Sequence, residues 1–227
     1  MFPDLTTRSL ELERLDTGDY TEAEYALWQR EMYYINRFLG DTRCLKLEIR
    51  DALRESKTGS ISILDVGAGS GELLESAREM FTNTSLLVGV DINRSSVQTV
   101  ASRADMDAVQ ADALTLPFAD SSFDIVVCSL FLHHLNDDAA VKLLGEMQRV
   151  ARLRFVVIDL HRHALAYFLY RTFGRLVLQK FSLDDGSLSI RRSFRPDELL
   201  ALAVRAGVRN AEVRRRAAFR LVLSGRK

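Results

Sequence analysis

From residue 61 onward, short apolar runs alternate with longer segments whose apolar residues recur at helical spacing. We place strands near residues 61–66, 86–91, 108–111, 123–129 and 154–160, with helices between them. Strands that alternate with helices are typical of a parallel sheet with helices on both faces. The pattern therefore predicts an α/β fold.

The N-terminal part of the chain predicts a separate amphipathic helix. Residues 21–24 (TEAE) have the form of a capping box, and Gly40 stands where a helix would end in a left-handed residue. The apolar residues between them share one helix face: Tyr25, Trp28, Met32, Ile35 and Leu39. We expect residues 1–45 to form a helical cap on a domain of residues 46–227.

A glycine-rich loop follows the first predicted strand, in the segment 63–74 (ILDVGAGSGELL). Glycine lets the backbone turn sharply or approach a ligand, and the next helix offers unpaired N–H groups at its start. Glu72 stands where the dinucleotide fingerprint G-x-G-x-x-G/A needs glycine or alanine. The loop thus predicts a nucleotide-type cofactor other than a dinucleotide.

The pattern D-x-G-x-G-x-G from Asp65 to Gly71 resembles motif I of the class I S-adenosylmethionine-dependent methyltransferases. Further landmarks follow in order: a strand that ends in Asp91, the sequence QADA around Asp112, and the run "LPF…SFD…S…LHHL". That run is similar to the branch that methylates small metabolites, including enzymes of the ubiquinone and menaquinone pathways. The resemblance covers about residues 45–160.

This resemblance implies a Rossmann-like, seven-stranded, mostly parallel sheet with helices on both faces, an N-terminal helical cap, and a closing hairpin at residues 211–216 and 218–224. It implies S-adenosylmethionine as cofactor. Asp91 is expected to bind the ribose hydroxyls, and Asp112 the adenine amine; Asp65 has the alternative role of fixing its own loop. The predicted cofactor-binding residues are Asp65, Gly67, Ala68, Gly69, Gly71, Asp91, Ile92, Asp112, Ala113 and Ser129.

A helical insertion is predicted after the fifth strand, at about residues 161–192. Its apolar residues share one helix face: Leu165, Phe168, Leu169, Phe173, Leu176 and Val177. Three interpretations are open: ordinary core packing, a lid over an apolar or aromatic acceptor with a bend at Gly174, and transient contact with a membrane surface. In the resembled family N-terminal helices also cover the ligands, so Tyr33 or Tyr34 is predicted to contact substrate or cofactor.

All four histidines follow the fourth or the fifth predicted strand: His133, His134, His161 and His163. Open α/β sheets bind ligands at this edge, so we predict His133 or His161 as the base that accepts the proton of the acceptor. Adjacent side chains diverge, so only one of His133 and His134 is expected to face the acceptor.

Asp159 is predicted to orient an imidazole, and Arg162 to hold an acidic substrate. With His134 and Tyr33 these residues make up the predicted substrate contacts. The histidine spacing does not fit the metal-binding pattern H-E-x-x-H, and methyl transfer from a sulfonium requires no metal, so none is predicted.

Composition narrows the function further. The 31 basic and 31 acidic residues cancel, so no overall field recruits nucleic acid or an acidic membrane. The chain starts without the pattern of a signal peptide and lacks an apolar run of roughly 18 residues, so a cytoplasmic protein without membrane insertion is expected. No Asn/Asp-Pro-Pro-aromatic motif follows the fourth strand, which argues against a nucleic-acid amino-methyltransferase.

The sequence therefore predicts a methyltransferase that acts on a small acceptor, preferentially a hydroxyl of an aromatic, quinone-like or polyketide-like metabolite, as in secondary metabolism. The alternatives are a C-methyltransferase of a quinone precursor and a non-catalytic S-adenosylmethionine-binding protein. The sequence leaves open whether the protein is a monomer or a homodimer.

Overall fold

The computed structural model describes residues 3–38, 40–56 and 59–227, with only the backbone at 36–38. These residues form one seven-stranded sheet in the order β3-β2-β1-β4-β5-β7-β6. β7 runs antiparallel to β5 and β6, and the other pairs are parallel. The strands are β1 (Ile61–Val66), β2 (Thr84–Asp91), β3 (Asp107–Gln110), β4 (Phe123–Ser129), β5 (Ala151–Leu160), β6 (Ala211–Arg216) and β7 (Arg220–Arg226).

Helices connect the strands and extend the chain at its N-terminus, which confirms the predicted fold. They are α1 (Arg14–Thr17), α2 (Glu22–Phe38), α3 (Asp41–Glu55), α4 (Glu72–Met80), α5 (Arg94–Ala101), α6 (Asp137–Val150), α7 (Ala164–Val177), α8 (Lys180–Arg192) and α9 (Pro196–Arg205). The last strand begins later than predicted, because Ala217–Phe219 form a 3-10 turn with positive φ at Ala218 and Phe219.

The central strands are buried on both faces, as their continuous apolar runs indicate. All six residues of β1 are buried. Leu64 packs into a core that α6 and α9 cover, and Ile63 packs into a second core that includes residues of α3, α4 and α5. Because the side chains of a strand alternate between faces, this single strand anchors both layers of helices.

The N-terminal helices begin and end close to the predicted positions. The capping box is confirmed: the Glu24 N–H donates to Thr21 Oγ1 at 3.2 Å, and the Thr21 N–H donates to Glu24 Oε2 at 2.8 Å. Gly40, with φ +106°, separates α2 from α3. Leu39, predicted on the apolar face, lies outside the described residues. The predicted boundary between residues 45 and 46 falls inside α3.

The predicted insertion consists of α7 and α8, and α7 is unbroken at Gly174, where the lid interpretation allowed a bend. α7 continues through Gly174, where a Cβ would lie 2.8 Å from Leu183 Cδ1 of α8. This glycine therefore allows two helices to pack closely. Among the described residues, no helix has the length and apolarity needed to cross a membrane.

Two glycine substitutions test the packing of the sheet: one at a crowded position in a strand and, for comparison, one at an uncrowded position in a helix. A Cβ on Gly225 of β7 would lie 2.8 Å from both Phe155 Cζ and Val208 Cγ1, so we expect Gly225→Ala to lower the free energy of unfolding by about 1–3 kcal/mol. Gly145 of α6 has open space at that position, so Gly145→Ala should raise it by about 0.5–1 kcal/mol. Urea unfolding measures both; a Gly225→Ala protein as stable as the parent would contradict the packing.

Candidate active site

A cavity of about 1310 Å³ lies at the carboxyl edge of the parallel strands. Four strands contribute residues to its wall where they end, among them Asp65, Asp91, Ser129 and Leu160. The glycine loop forms one end of the wall, and α2, α7 and α8 cover the cavity. This is the position at which open α/β sheets bind ligands.

Backbone hydrogen bonds fix the glycine loop against β2. Gly67, Gly69 and Gly71 have φ values of +74°, +52° and +78°, in the left-handed region that favours glycine. The Gly69 N–H donates to Asp91 Oδ2 at 2.9 Å. A Cβ on Gly69 would meet no atom within 4 Å, whereas one on Gly71 would lie 3.0 Å from Val100 Cγ2 of α5. Gly69 thus leaves room for a ligand, and Gly71 serves helix packing.

Asp91 is held at the cavity wall by its other oxygen as well, since Oδ1 accepts from the Asn93 N–H at 2.8 Å. Three other predicted cofactor contacts lie away from the wall. Ile92 is 71% exposed, and Asp112 uses Oδ1 to accept from the Leu114 N–H at 2.8 Å, beside Ala113. None of these three residues lines the cavity, and their contact with a cofactor stays a prediction.

Asp65 is buried in the cavity wall, and its Oδ1 accepts no hydrogen bond. Burial, and then the negative charge of Asp91, raise the pKa of the Asp65 carboxyl to about 7. Buried polar atoms in folded proteins are normally paired, so an unpaired carboxylate oxygen beside a cavity indicates a ligand that brings a donor group.

His133 lines the same cavity and forms a buried pair with Asp159. Asp159 Oδ1 lies 2.7 Å from His133 Nδ1, and Oδ2 accepts from the His133 N–H at 3.0 Å. Burial alone would raise the pKa of Asp159, but the His133 ring and backbone N–H groups hold it below its usual value. Because a carboxylate only accepts, Nδ1 carries the proton and Nε2 of His133 is left to act in the cavity.

His134 also lines the cavity, so both adjacent histidines reach it although their side chains were expected to diverge; which of them faces the acceptor stays a prediction. The two rings lie 4.3 Å apart between centroids. The reason is a contact from the N-terminal segment: Asp16 Oδ1 lies 2.8 Å from His134 Nδ1 and holds that ring beside His133.

His161 lines the cavity, but burial, and then the charges of His163, Arg215 and Arg195, lower its pKa to about 4. An imidazole with this pKa is a weak base, so the low pKa of His161 favours His133 of the two predicted bases.

Arg162 is buried away from the cavity wall. It donates to Leu5 O and Ser193 O and pairs with Glu198. These contacts hold the N-terminal segment.

Sequence reasoning predicted Tyr33 from the N-terminal region and missed the other N-terminal residues of this site. Glu13 is buried in the cavity wall, and burial raises the pKa of its carboxyl to about 7. Tyr20 stacks on Tyr25, with centroids 5.1 Å apart, and Tyr25 stacks on Trp28 at 5.7 Å. The predicted contact Tyr33 does line the cavity. The apolar periodicity of α2 indicated its buried face, but nothing near Glu13 in the sequence marks it as a site residue.

The fold and the glycine loop define a Rossmann-like protein that binds a nucleotide-type cofactor. Residues 63–168 match a family model described as a methyltransferase domain. Demethylmenaquinone methyltransferase of Roseiflexus sp. is 32% identical over 159 residues, which cover 63% of this chain and 65% of that protein. Ubiquinone biosynthesis O-methyltransferase of Ralstonia nicotianae is 28% identical, covering 67% and 64%.

The solved structure of plantazolicin methyltransferase BpumL with a monoazolic desmethylPZN analog and SAH is similar in fold. Its TM-score is 0.70 at 14% identity, covering 94% of this chain and 93% of that chain. A 103-residue match to human probable tRNA methyltransferase 9B is 32% identical and covers 45% of this chain and 21% of that protein. The chain spans about half to two thirds of the length of the first curated relatives it matches.

Residues 63–168 thus carry a methyltransferase domain similar to those of the class I S-adenosylmethionine-dependent methyltransferases, and S-adenosylmethionine is the cofactor that this similarity indicates. The residues present fit this group. Gly69 leaves space beside the loop, and the carboxylates of Asp91 and Asp65 can accept from hydroxyl and ammonium donors.

The unpaired carboxyl of Asp65 predicts a pH-dependent stability. Its folded-state pKa is raised from 3.8 to about 7, so the native state loses stability as the pH rises through this interval. Asp65→Asn removes that loss. We expect its gain in free energy of unfolding over the parent to be about 2 kcal/mol larger at pH 8 than at pH 5.

Urea unfolding of the ligand-free protein at both pH values measures this effect. Asp107→Asn is the matched control, because Asp107 is exposed on β3. An equal effect of Asp65→Asn at the two pH values would show that folding does not raise the pKa of Asp65.

Proposed function

We propose that this chain transfers the methyl group of S-adenosylmethionine to a hydroxyl of a small aromatic, quinone-like or polyketide-like molecule. The observation that carries the proposal is a single cavity that joins the glycine loop and Asp91 to His133. Its volume of about 1310 Å³ exceeds the roughly 300–1,000 Å³ of a typical ligand pocket. The cavity therefore has room for a cofactor and an acceptor together.

When bound, the cofactor supplies a methyl carbon on a positively charged sulfur, and the acceptor's electron pair forms a bond to this carbon as the carbon–sulfur pair returns to sulfur. The main task of the chain is alignment, which can supply about 7–11 kcal/mol. A phenol with a pKa near 10 costs about 4 kcal/mol to ionise at pH 7. His133 Nε2 is the group placed to assist, either by accepting the proton or through a cation that it binds.

The cavity wall supports an aromatic acceptor. Tyr20, Tyr25 and Trp28 form a stacked row in the wall, so aromatic side chains make up part of the surface that an acceptor would contact. Phe173 of α7 lines the cavity yet is 61% exposed, which supports a lid at this position over plain core packing. Two of the similar proteins are named as a demethylmenaquinone methyltransferase and a ubiquinone biosynthesis O-methyltransferase, which supports a quinone-like acceptor.

Binding of S-adenosylhomocysteine, measured by calorimetry, tests the cofactor half of the proposal. Asp91→Ala removes the carboxylate at the wall and Gly69→Val fills the space beside the loop, so each should weaken binding at least about tenfold. Asp107→Ala should leave it unchanged, and Asp112→Ala tests the predicted adenine contact separately. Unchanged affinity in both Asp91→Ala and Gly69→Val would overturn the site.

Turnover with methyl-¹³C-labelled cofactor tests the acceptor half. We expect aromatic hydroxyl compounds to give product whose ¹³C signal lies in the O-methyl region of the spectrum. A C-methyl signal would identify the alternative, methylation of a quinone precursor at carbon. Binding of S-adenosylhomocysteine without methylation of any acceptor in the set would support the non-catalytic alternative.

A further inference from the structure

Three side chains from distant parts of the sequence meet at the acceptor end of the cavity: Glu13, His133 and His134. One ligand atom of each lies within 4.8 Å of those of the other two. His133 Nε2 is 3.9 Å from Glu13 Oε1, too far for a hydrogen bond. Two ligands of a tetrahedral zinc lie about 3.4 Å apart, so a small movement of either side chain would bring both atoms onto one ion. Two imidazoles and one carboxylate are the donor set of several catalytic zinc sites.

Each of the two histidines has a carboxylate at its Nδ1 atom, as metal-binding histidines usually do. A histidine that binds a metal usually donates its other ring N–H to a carboxylate, which fixes the ring. Asp159 lies 2.7 Å from His133 Nδ1, and Asp16 lies 2.8 Å from His134 Nδ1. Both histidines therefore have the same support, and Nε2 is the nitrogen left for an ion in each ring.

The charges around the cluster favour a divalent cation. Glu13, Asp16 and Asp159 bring three carboxylates, and Arg192 brings one positive charge, 3.8 Å from Glu13 Oε1 and paired with Asp16. A divalent ion would bring these four groups to neutrality when all are ionised. The side chains of Glu13 and His133 are only 4% and 3% exposed, so this balance matters more than at the surface.

The cluster is also accessible to a ligand. Glu13, His133 and His134 all line the cavity that holds the proposed acceptor. Three protein ligands leave at least one coordination position open, as in catalytic rather than structural zinc sites.

We propose that Glu13, His133 and His134 bind a divalent transition-metal ion, with Zn²⁺ as the reference ion, whose open position takes the acceptor oxygen. The metal site stands on its own geometry, and its role with the acceptor rests on the function proposed above. Coordination lowers the pKa of the acceptor hydroxyl. The proton then passes to solvent, and the bound oxygen supplies the electron pair that forms the new bond to the methyl carbon.

Titration of the untagged, chelator-treated full chain with Zn²⁺ against a chromophoric chelator tests the site. We expect one equivalent to bind per chain, and both Glu13→Gln and His134→Gln to weaken binding by more than about tenfold. His161→Gln and Glu72→Gln are matched controls, because both residues line the same cavity outside the cluster, and they should bind as the parent does.

Co²⁺ in place of Zn²⁺ gives a second readout. Intense visible absorption at one equivalent, lost in Glu13→Gln and His134→Gln, supports coordination by these residues. Absence of stoichiometric Zn²⁺ binding, or binding that survives both variants, overturns the proposal and leaves His133 as a direct proton acceptor.

S-adenosylhomocysteine calorimetry on the same proteins separates the two proposals and reports folding. Variants that bind the cofactor product but have lost Zn²⁺ are folded and support the metal site. A parent chain that binds Zn²⁺ but no S-adenosylhomocysteine keeps the metal site and sinks the proposed function. A parent chain that binds only S-adenosylhomocysteine sinks the metal site alone.

Discussion

The site depends on a constraint of parallel sheets: neighbouring strands end at the same edge. β1, β2 and β5 all end at this edge and bring Asp65, Asp91 and Asp159 to it. In the register of the sheet, Asp91 lies two residues and Asp159 three residues beyond the level of Asp65. Carboxylates in such a place lose hydration, and each must find a donor. Asp91 accepts from backbone N–H groups and Asp159 pairs with His133, whereas Asp65 Oδ1 has no hydrogen-bond donor. The unpaired oxygen thus marks where the ligand has to complete the structure.

Two arginines, the half-buried Arg8 and the buried Arg162, hold the N-terminal segment against the cavity. Arg8 donates to Arg192 O at 2.7 Å and to Leu135 O at 3.0 Å, and its guanidinium lies 3.8 Å from the centre of the Phe194 ring. Arg162 donates to Leu5 O. These bonds fix the backbone that carries Glu13 and Asp16 beside the two histidines. Glu13 and Asp16 therefore reach the two histidines through the contacts that hold this segment, whereas Asp159 of β5 positions His133.

Features that depend on local spacing can be predicted from the sequence. Side-chain positions that depend on a contact with a distant segment cannot. The apolar runs placed β1 and β4 at their observed bounds, and the loop pattern indicated the methyltransferase domain. Gly174 looked like a hinge because a lone glycine in a helix has no visible partner in sequence, yet Leu183 of α8 occupies the space. His134 was expected to diverge from His133, and Asp16, 118 residues away, holds it in place.

The pair formed by His133 and Asp159 limits His133 Nε2 to one of two roles. By keeping the proton on Nδ1, Asp159 leaves one lone pair on Nε2, which can take up a proton or bind a cation but not both. Glu13 Oε1 accepts from Ser189 Oγ at 2.9 Å and lies 3.8 Å from Arg192, so its burial is partly compensated without a metal. A direct base would use His133 alone, whereas a cation would be held by Glu13 and both histidines, with Asp16 and Asp159 fixing the two rings.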